Sequence, residues 1–250
     1  MMKHLSISAL TCSTLIALNN PVNAEGFKVG DVEFELNCGL PRPESFVLEQ
    51  NIYKFRLVNE DVGKCSTDNK SFTSNTYHKD FSERSEIIIN SPKLYKNKIY
   101  KIKFKHRIQS GYDNGDRNET FFQMKNCGDS RVPVMAFLRM DARSHKRYAF
   151  SLSAGTKHNQ FVFGNDSANL RKKEWYNYEI TYNTSEKSWI EVLVNGKIVL
   201  PKTTFENVGY CDAFDTLRIG NYRSGADTGV GKINTTSISE YKDITISKID

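Results

Sequence analysis

Three short stretches of this 250-residue chain set chemically capable side chains on one face of an extended strand, at a spacing of two. In Glu83-Arg84-Ser85-Glu86-Ile87-Ile88-Ile89, Arg84 and Glu86 share a face while Ser85 and Ile87 point the other way. In Phe121-Phe122-Gln123-Met124-Lys125-Asn126, Gln123 stands beside Lys125 and opposite Met124. In Leu217-Arg218-Ile219-Gly220-Asn221-Tyr222-Arg223, Arg218, Gly220 and Tyr222 align against the apolar Leu217 and Ile219. Guanidinium, ammonium and amide donors in such a row neutralise an anion. A phenol, or an amine of lowered pKa, can move a proton. His78, six residues before Arg84, offers an imidazole from the segment leading into the first stretch. Taken singly, each stretch reads more readily as the solvated outer face of a strand with one incidental aromatic.

Other chemistries lack their residues. No CxxC pair or histidine cluster has zinc spacing. Retaining hydrolysis needs two closely set carboxylates, and the Glu-x-Asp-x-x-Glu run of sandwich glucanases is absent. The Asp/Asn-rich stretch Asp113–Asp116 is the one candidate for a structural Ca²⁺, without EF-hand spacing, and no other cofactor is expected.

The elements that must position these residues are strands. Tyr100-Lys101-Ile102-Lys103-Phe104-Lys105 alternates strictly, as a strand with one buried face does. Similar runs are Thr120–Lys125, Val134–Met140, Tyr148–Ser153, Gln160–Phe163, Tyr176–Tyr182 and Trp189–Val194, with shorter ones at Ile198–Leu200, Leu217–Tyr222 and Ile244–Ile249. Asn195-Gly196 between two apolar runs predicts a tight hairpin, because both residues accept positive φ. Gly111–Gly115, Gly164–Ser167 and Gly225–Gly231 read as loops, and helix is confined to one turn near Ala168–Lys172. Many short strands with frequent turns predict an all-β sandwich or jelly roll.

In this order the stretches resemble a known family. The Arg84-Ser85-Glu86 strand, the Gln123 strand followed by Val132-Pro133, and the Trp175 strand leading to Asn195-Gly196 precede Arg218-x-Gly220-x-Tyr222-Arg223. This is similar to the heparin lyase I-like and glucuronan lyase-like polysaccharide lyases, and more distantly to the alginate lyases that share their jelly roll. The resemblance runs from about Thr76 to the C-terminus, and Trp175 to Tyr222 carries most of it. It implies a concanavalin A-like β-jelly-roll sandwich of two curved antiparallel sheets with a substrate groove on the concave face. It also implies cleavage of a uronate-containing polysaccharide by β-elimination.

The resemblance assigns Tyr222 as base, acid or both, with Arg218 activating it or binding a substrate anion. Gln123 would neutralise the uronate carboxylate, with Arg84 as a second donor. Glu86, Asn221, Arg223 and His78 would add substrate contacts. Related enzymes commonly carry Gln-x-His on the second strand, where this chain has Lys125. A lysine there neutralises the carboxylate, accepts a proton, or leaves a groove that binds without turnover. That last outcome is the rival function, a non-catalytic, lectin-like carbohydrate-binding protein.

Lys3, the apolar stretch Leu5–Leu18 and the small-residue site Val22-Asn23-Ala24 predict a signal peptide over residues 1–24, hence a secreted or periplasmic protein. The apolar stretch is too short to span a bilayer. The remaining 226 residues suit one jelly-roll domain over 25–250. Without Lys3, 34 basic and 29 acidic residues leave a formal charge of +5, compatible with an anionic polysaccharide partner. Nothing is arranged for nucleic acid or for a membrane, and oligomeric state is unreadable. Cys38, Cys65, Cys127 and Cys211 allow two disulfides in three pairings; Cys38 with Cys65 closes the shorter loop, leaving Cys127 with Cys211. The cationic row Lys101–Arg107 reads as a solvated strand face in preference to an anion-binding one. Tyr77, Tyr112, Trp175, Tyr176 and Tyr178 read mainly as core, as rings in a sandwich do. His106, His145 and His158 read as surface or loop residues.

Overall fold

The computed structural model describes residues 26–58, 61, 63–65, 68, 82–111, 119–125, 134–140, 148–154, 157–163, 172–206, 214–223 and 236–249, with 134–163 described by backbone alone. Fifteen strands account for most of them, and the one helical element among the described residues is a 3-10 turn at Pro43–Ser45. One antiparallel sheet has eight strands in the order β1 (Phe27–Val29), β2 (Val32–Leu36), β5 (Glu83–Tyr95), β14 (Phe214–Arg223), β7 (Glu119–Lys125), β8 (Val134–Met140), β9 (Tyr148–Ala154) and β10 (Lys157–Phe163). The other has seven, in the order β13 (Lys197–Glu206), β12 (Lys187–Val194), β11 (Tyr176–Asn183), β6 (Ile99–Ile108), β15 (Thr236–Ile249), β4 (Ile52–Val58) and β3 (Phe46–Glu49). This is the jelly-roll sandwich that the strand pattern implies. No helix among the described residues is long and apolar enough to cross a membrane.

The core lies where the apolar faces of the two sheets meet. Ile87, Phe121, Phe122, Met124, Leu217 and Ile219 come from the eight-stranded sheet; Phe55, Leu57, Phe104, Ile180, Ile190 and Tyr241 come from the other. Phe104 stacks between Phe122 (5.3 Å) and Tyr178 (4.9 Å), joining the layers. Each such ring contributes about 1.5–3 kcal/mol by burial. The cationic row of β6 points outward and is ion-paired, Lys101 and Lys103 with Glu179, Lys105 with Asp243 and Arg107 with Glu240. Asn195 (φ 50°) and Gly196 (φ 75°) make the β12–β13 hairpin.

Three differences from the sequence expectations stand out. Four strands, β1 to β4, precede Glu83, although β4 carries the same alternation (Tyr53, Phe55 and Leu57 inward) as the strands expected. Elements also run longer than their clearest runs; β15 spans Thr236–Ile249. His106 is not a surface residue. It is fully buried on β6, 4.7 Å from the Phe121 ring and 4.8 Å from Tyr241, because the side chain falls on the inward phase of the strand. Burial pushes its pKa down to about 3.

Cys38 and Cys65 are disulfide-bonded across 27 positions. Residues 1–25, Tyr77, His78, Tyr112, Asp113–Asp116, Cys127, His145, the 164–171 segment, Cys211 and the 225–231 loop lie outside the described residues, as does the side chain of His158.

Candidate active site

The three polar stretches become three adjacent strands, with β14 between β5 and β7. Antiparallel pairing puts Tyr222 beside Arg84, Gly220 beside Glu86, Arg218 between Ile88 and Gln123, and Thr216 beside Lys125. Arg84, Glu86, Gln123, Lys125, Arg218 and Tyr222 therefore share the face turned away from the seven-stranded sheet, where Arg84, Glu86 and Gln123 converge. Gly220 makes this convergence possible. Its φ of 139° is a conformation side chains avoid, and a Cβ there would meet the Ser85 carbonyl oxygen at 2.2 Å and Glu86 Cα at 2.7 Å. With no side chain at Gly220, the Gln123 amide reaches across β14 to donate to Glu86 Oε1.

Glu86 is the hub. Its other oxygen accepts from Arg84 Nη1 at 2.5 Å and from Asn37 Nδ2 at 3.1 Å. Arg84 also makes a two-pronged pair with Asp68, Nε to Oδ2 at 3.0 Å and Nη2 to Oδ1 at 2.8 Å. Its guanidinium lies 4.2 Å over the centre of the Tyr222 ring, a cation–π contact that fixes the phenol. The Tyr222 hydroxyl is 3.3 Å from Ser82 Oγ. The cluster is largely shielded from water: Glu86 is 0 %, Gln123 3 %, Arg218 4 %, Arg84 5 % and Lys125 8 % exposed.

Charge in this shielded space is unevenly paired. Arg84 engages the carboxylates of both Glu86 and Asp68 directly, while the half-buried Glu35 acts on Arg218 from two strands away. Lys125 and Arg218 have no ion-pair partner among the described residues, and Arg218 Nε is buried without a hydrogen-bond acceptor. Burial, then the neighbouring Arg218, pushes the Lys125 amine down to about 8, against the pull of Glu86. Burial likewise lowers the Arg218 pKa, with Glu86 opposing and Arg84 adding to the shift. Burial also disfavours the Arg84 charge, but Glu86 and Asp68 outweigh it and hold that guanidinium above its ordinary value. Two buried cations without an ion-pair partner among the described residues, on the sheet face that also bears Tyr222, form a place for an anion.

Two of the expected contacts do not join the cluster. Asn221 and Arg223 fall on the opposite phase of β14, toward the second sheet, because side chains alternate along a strand. Asn221 donates to Ser237 Oγ at 2.9 Å and accepts from Ser239 Oγ, and Arg223 pairs with Glu83 at 2.7 Å. The sequence reading omits Asn37 and Asp68, which sit in connections where no periodicity marks them, and Ser82, which continues the spacing of two from Arg84 and Glu86 just before β5. Trp175 lies elsewhere, on the outer face of the seven-stranded sheet, between Arg107 (4.3 Å) and Lys242 (4.5 Å). No group of three His, Cys, Asp or Glu among the described residues is placed to hold a metal.

No protein-family model and no curated protein matches the chain in sequence. Solved structures do match in three dimensions. The family 7 alginate lyase A1-II′ in complex with a product superposes with a TM-score of 0.56 at 13 % identity, over 82 % of this chain and 84 % of that one. An alginate lyase from Pseudomonas aeruginosa gives 0.56 at 14 %, over 83 % and 87 %. An alginate lyase from a Corynebacterium species gives 0.51 at 11 %, over 82 % and 81 %. The fold is shared with alginate lyases. Of the families that the sequence resembles, this is the one first placed at a greater distance; the likeness does not single out the heparin lyase I-like or glucuronan lyase-like groups.

Proposed function

We propose that the protein is a polysaccharide lyase that cleaves a uronate-containing anionic polysaccharide by β-elimination. The observation that carries this reading is the buried pair Lys125 and Arg218, without an ion-pair partner among the described residues, beside Gln123 on the sheet face that also bears Tyr222. A carboxylate of the substrate is drawn to these two cations. The C5 proton of a uronate becomes removable only when that carboxylate is neutralised by preorganised donors, since the charge otherwise resists the carbanion. Lys125 as an ammonium, Arg218 and the free N–H of Gln123 are such donors. Tyr222, reacting as its phenolate, takes the C5 proton, the electron pair forms the C4–C5 double bond, the C4–O bond breaks, and the phenol so formed returns the proton to the departing oxygen. One phenol serves both transfers where the two events share a side of the ring. The alginate lyases of like fold, one in complex with a product, support a uronate polymer as substrate and alginate as the first to offer.

The lectin-like rival requires the same anion pocket but makes no demand on the Tyr222 hydroxyl. Tyr222→Phe keeps the ring under Arg84 and removes only the proton carrier. The expected result is a loss of turnover of about 10²-fold or more with polymer affinity and melting temperature nearly unchanged. Near-normal turnover in Tyr222→Phe removes the mechanism.

A further inference from the structure

Asp61, Gly63 to Cys65 and Asp68 form a strap against the start of β5, and its construction concerns the reacting groups. Gly63 N–H donates to the Ser82 carbonyl at 2.9 Å, Ser82 N–H to the Asp68 carbonyl at 3.1 Å, and Arg84 N–H to the Asp61 carbonyl at 3.3 Å. The Asp68 carboxylate, 1 % exposed, accepts from Cys65 N–H at 3.1 Å as well as from Arg84. Cys65 is disulfide-bonded to Cys38, whose neighbour Asn37 donates to Glu86. The disulfide thus joins, one residue away and three residues away, the two partners that hold the ends of the Arg84–Glu86 pair. Gly63 is small for the same reason: a Cβ there would lie 2.1 Å from Asp68 Oδ2 and 2.8 Å from Arg84 Cβ.

We propose that Asp68 is a positioning residue for the reaction, and that the Cys38–Cys65 disulfide holds it in place. Asp68 fixes the guanidinium plane of Arg84, that plane fixes the Tyr222 ring beneath it, and the same strap sets Ser82 against the Tyr222 hydroxyl. Asp68 touches no reacting atom. Reduction of the disulfide frees Cys65, whose backbone holds Asp68 through two hydrogen bonds, so turnover becomes sensitive to the redox state of a bond outside the pocket.

The kinetic arm of the test rests on the proposed lyase reading; the spectroscopic arm does not. The mature protein is compared with Asp68→Asn, Asp68→Glu, Gly63→Ala and the double variant Cys38→Ser/Cys65→Ser. The expected result for Asp68→Asn is a fall in kcat of about tenfold to a hundredfold with KM within about threefold, partly restored in Asp68→Glu. Gly63→Ala and the double variant shift kcat in the same sense. In ¹⁵N spectra of arginine side chains, the Arg84 Nε–H signal, assigned by its loss in Arg84→Lys, is shielded from exchange in the parent and exposed in Asp68→Asn. Unchanged kcat together with an unchanged Arg84 signal overturns the proposal. So does a loss that follows the melting temperature alone, with KM rising as kcat falls. If the parent turns over no uronate polymer, the lyase reading fails, and the exchange of Arg84 Nε–H by itself decides whether Asp68 positions it.

Discussion

Lys125 is the residue on which the chemistry of this site turns. As an ammonium it neutralises a carboxylate; as an amine it cannot. With its pKa pushed down to about 8, the change falls in an accessible range. The proposed role makes kcat/KM decline as pH rises through about 8, and Lys125→Arg, which stays charged, removes that declining limb. A pH–rate profile of both proteins checks this, and a limb that rises through the same window assigns Lys125 as the base instead. Lys125→His places there the histidine common in the lyases that the sequence resembles, and the expectation is activity equal to or above the parent. Loss of activity there gives the lysine a role that imidazole cannot fill.

At the scale of elements, β14 does two jobs through its alternation. One phase (Arg218, Gly220, Tyr222) faces the pocket and the other (Leu217, Ile219, Asn221, Arg223) locks the strand to the second sheet. Gly220→Ala sets a methyl against β5 backbone, so a loss of stability of about 2 kcal/mol or more is expected, read as a lowered denaturation midpoint. A midpoint equal to the parent's shows that the β5–β14 approach is not as tight as described. This element was legible in the sequence because a period of two sorts side chains by face, and Arg218, Gly220 and Tyr222 were sorted correctly. Asn221 and Arg223 were assigned to the substrate against that same alternation. Asn37 and Asp68 were illegible for another reason. They reach Arg84 and Glu86 from connections distant in sequence, and only tertiary pairing reveals them. The first four strands were legible in part, since Tyr53, Phe55 and Leu57 of β4 alternate as plainly as Tyr100, Ile102 and Phe104 of β6.

For the whole molecule, the two sheets share a core that contains a neutral histidine. The pKa of His106 is about 3 in the folded protein and near 6.5 when exposed. Between these values the unfolded chain binds a proton that the folded one does not, so stability falls as pH drops through that window and is fully present above it. The contribution is on the order of a few kcal/mol. Urea unfolding at pH 7 and pH 4 measures it, and His106→Gln loses less stability over that interval than the parent; equal losses place the acid sensitivity elsewhere. Fold alone assigns no activity, and identities of 13 % and 14 % to the alginate lyases leave the substrate to the site itself. The lyase reading therefore stands on Lys125 and Arg218, without an ion-pair partner among the described residues, and on Tyr222 of the same sheet face. It is tested most directly by incubating the purified protein with alginate, glucuronan, heparin, heparan sulfate, hyaluronan and pectate while following ultraviolet absorbance. Only β-elimination creates the absorbing unsaturated uronate. The account predicts a rise on at least one of these polymers; binding to one of them with no rise on any contradicts it and identifies the pocket as a carbohydrate-binding site without turnover.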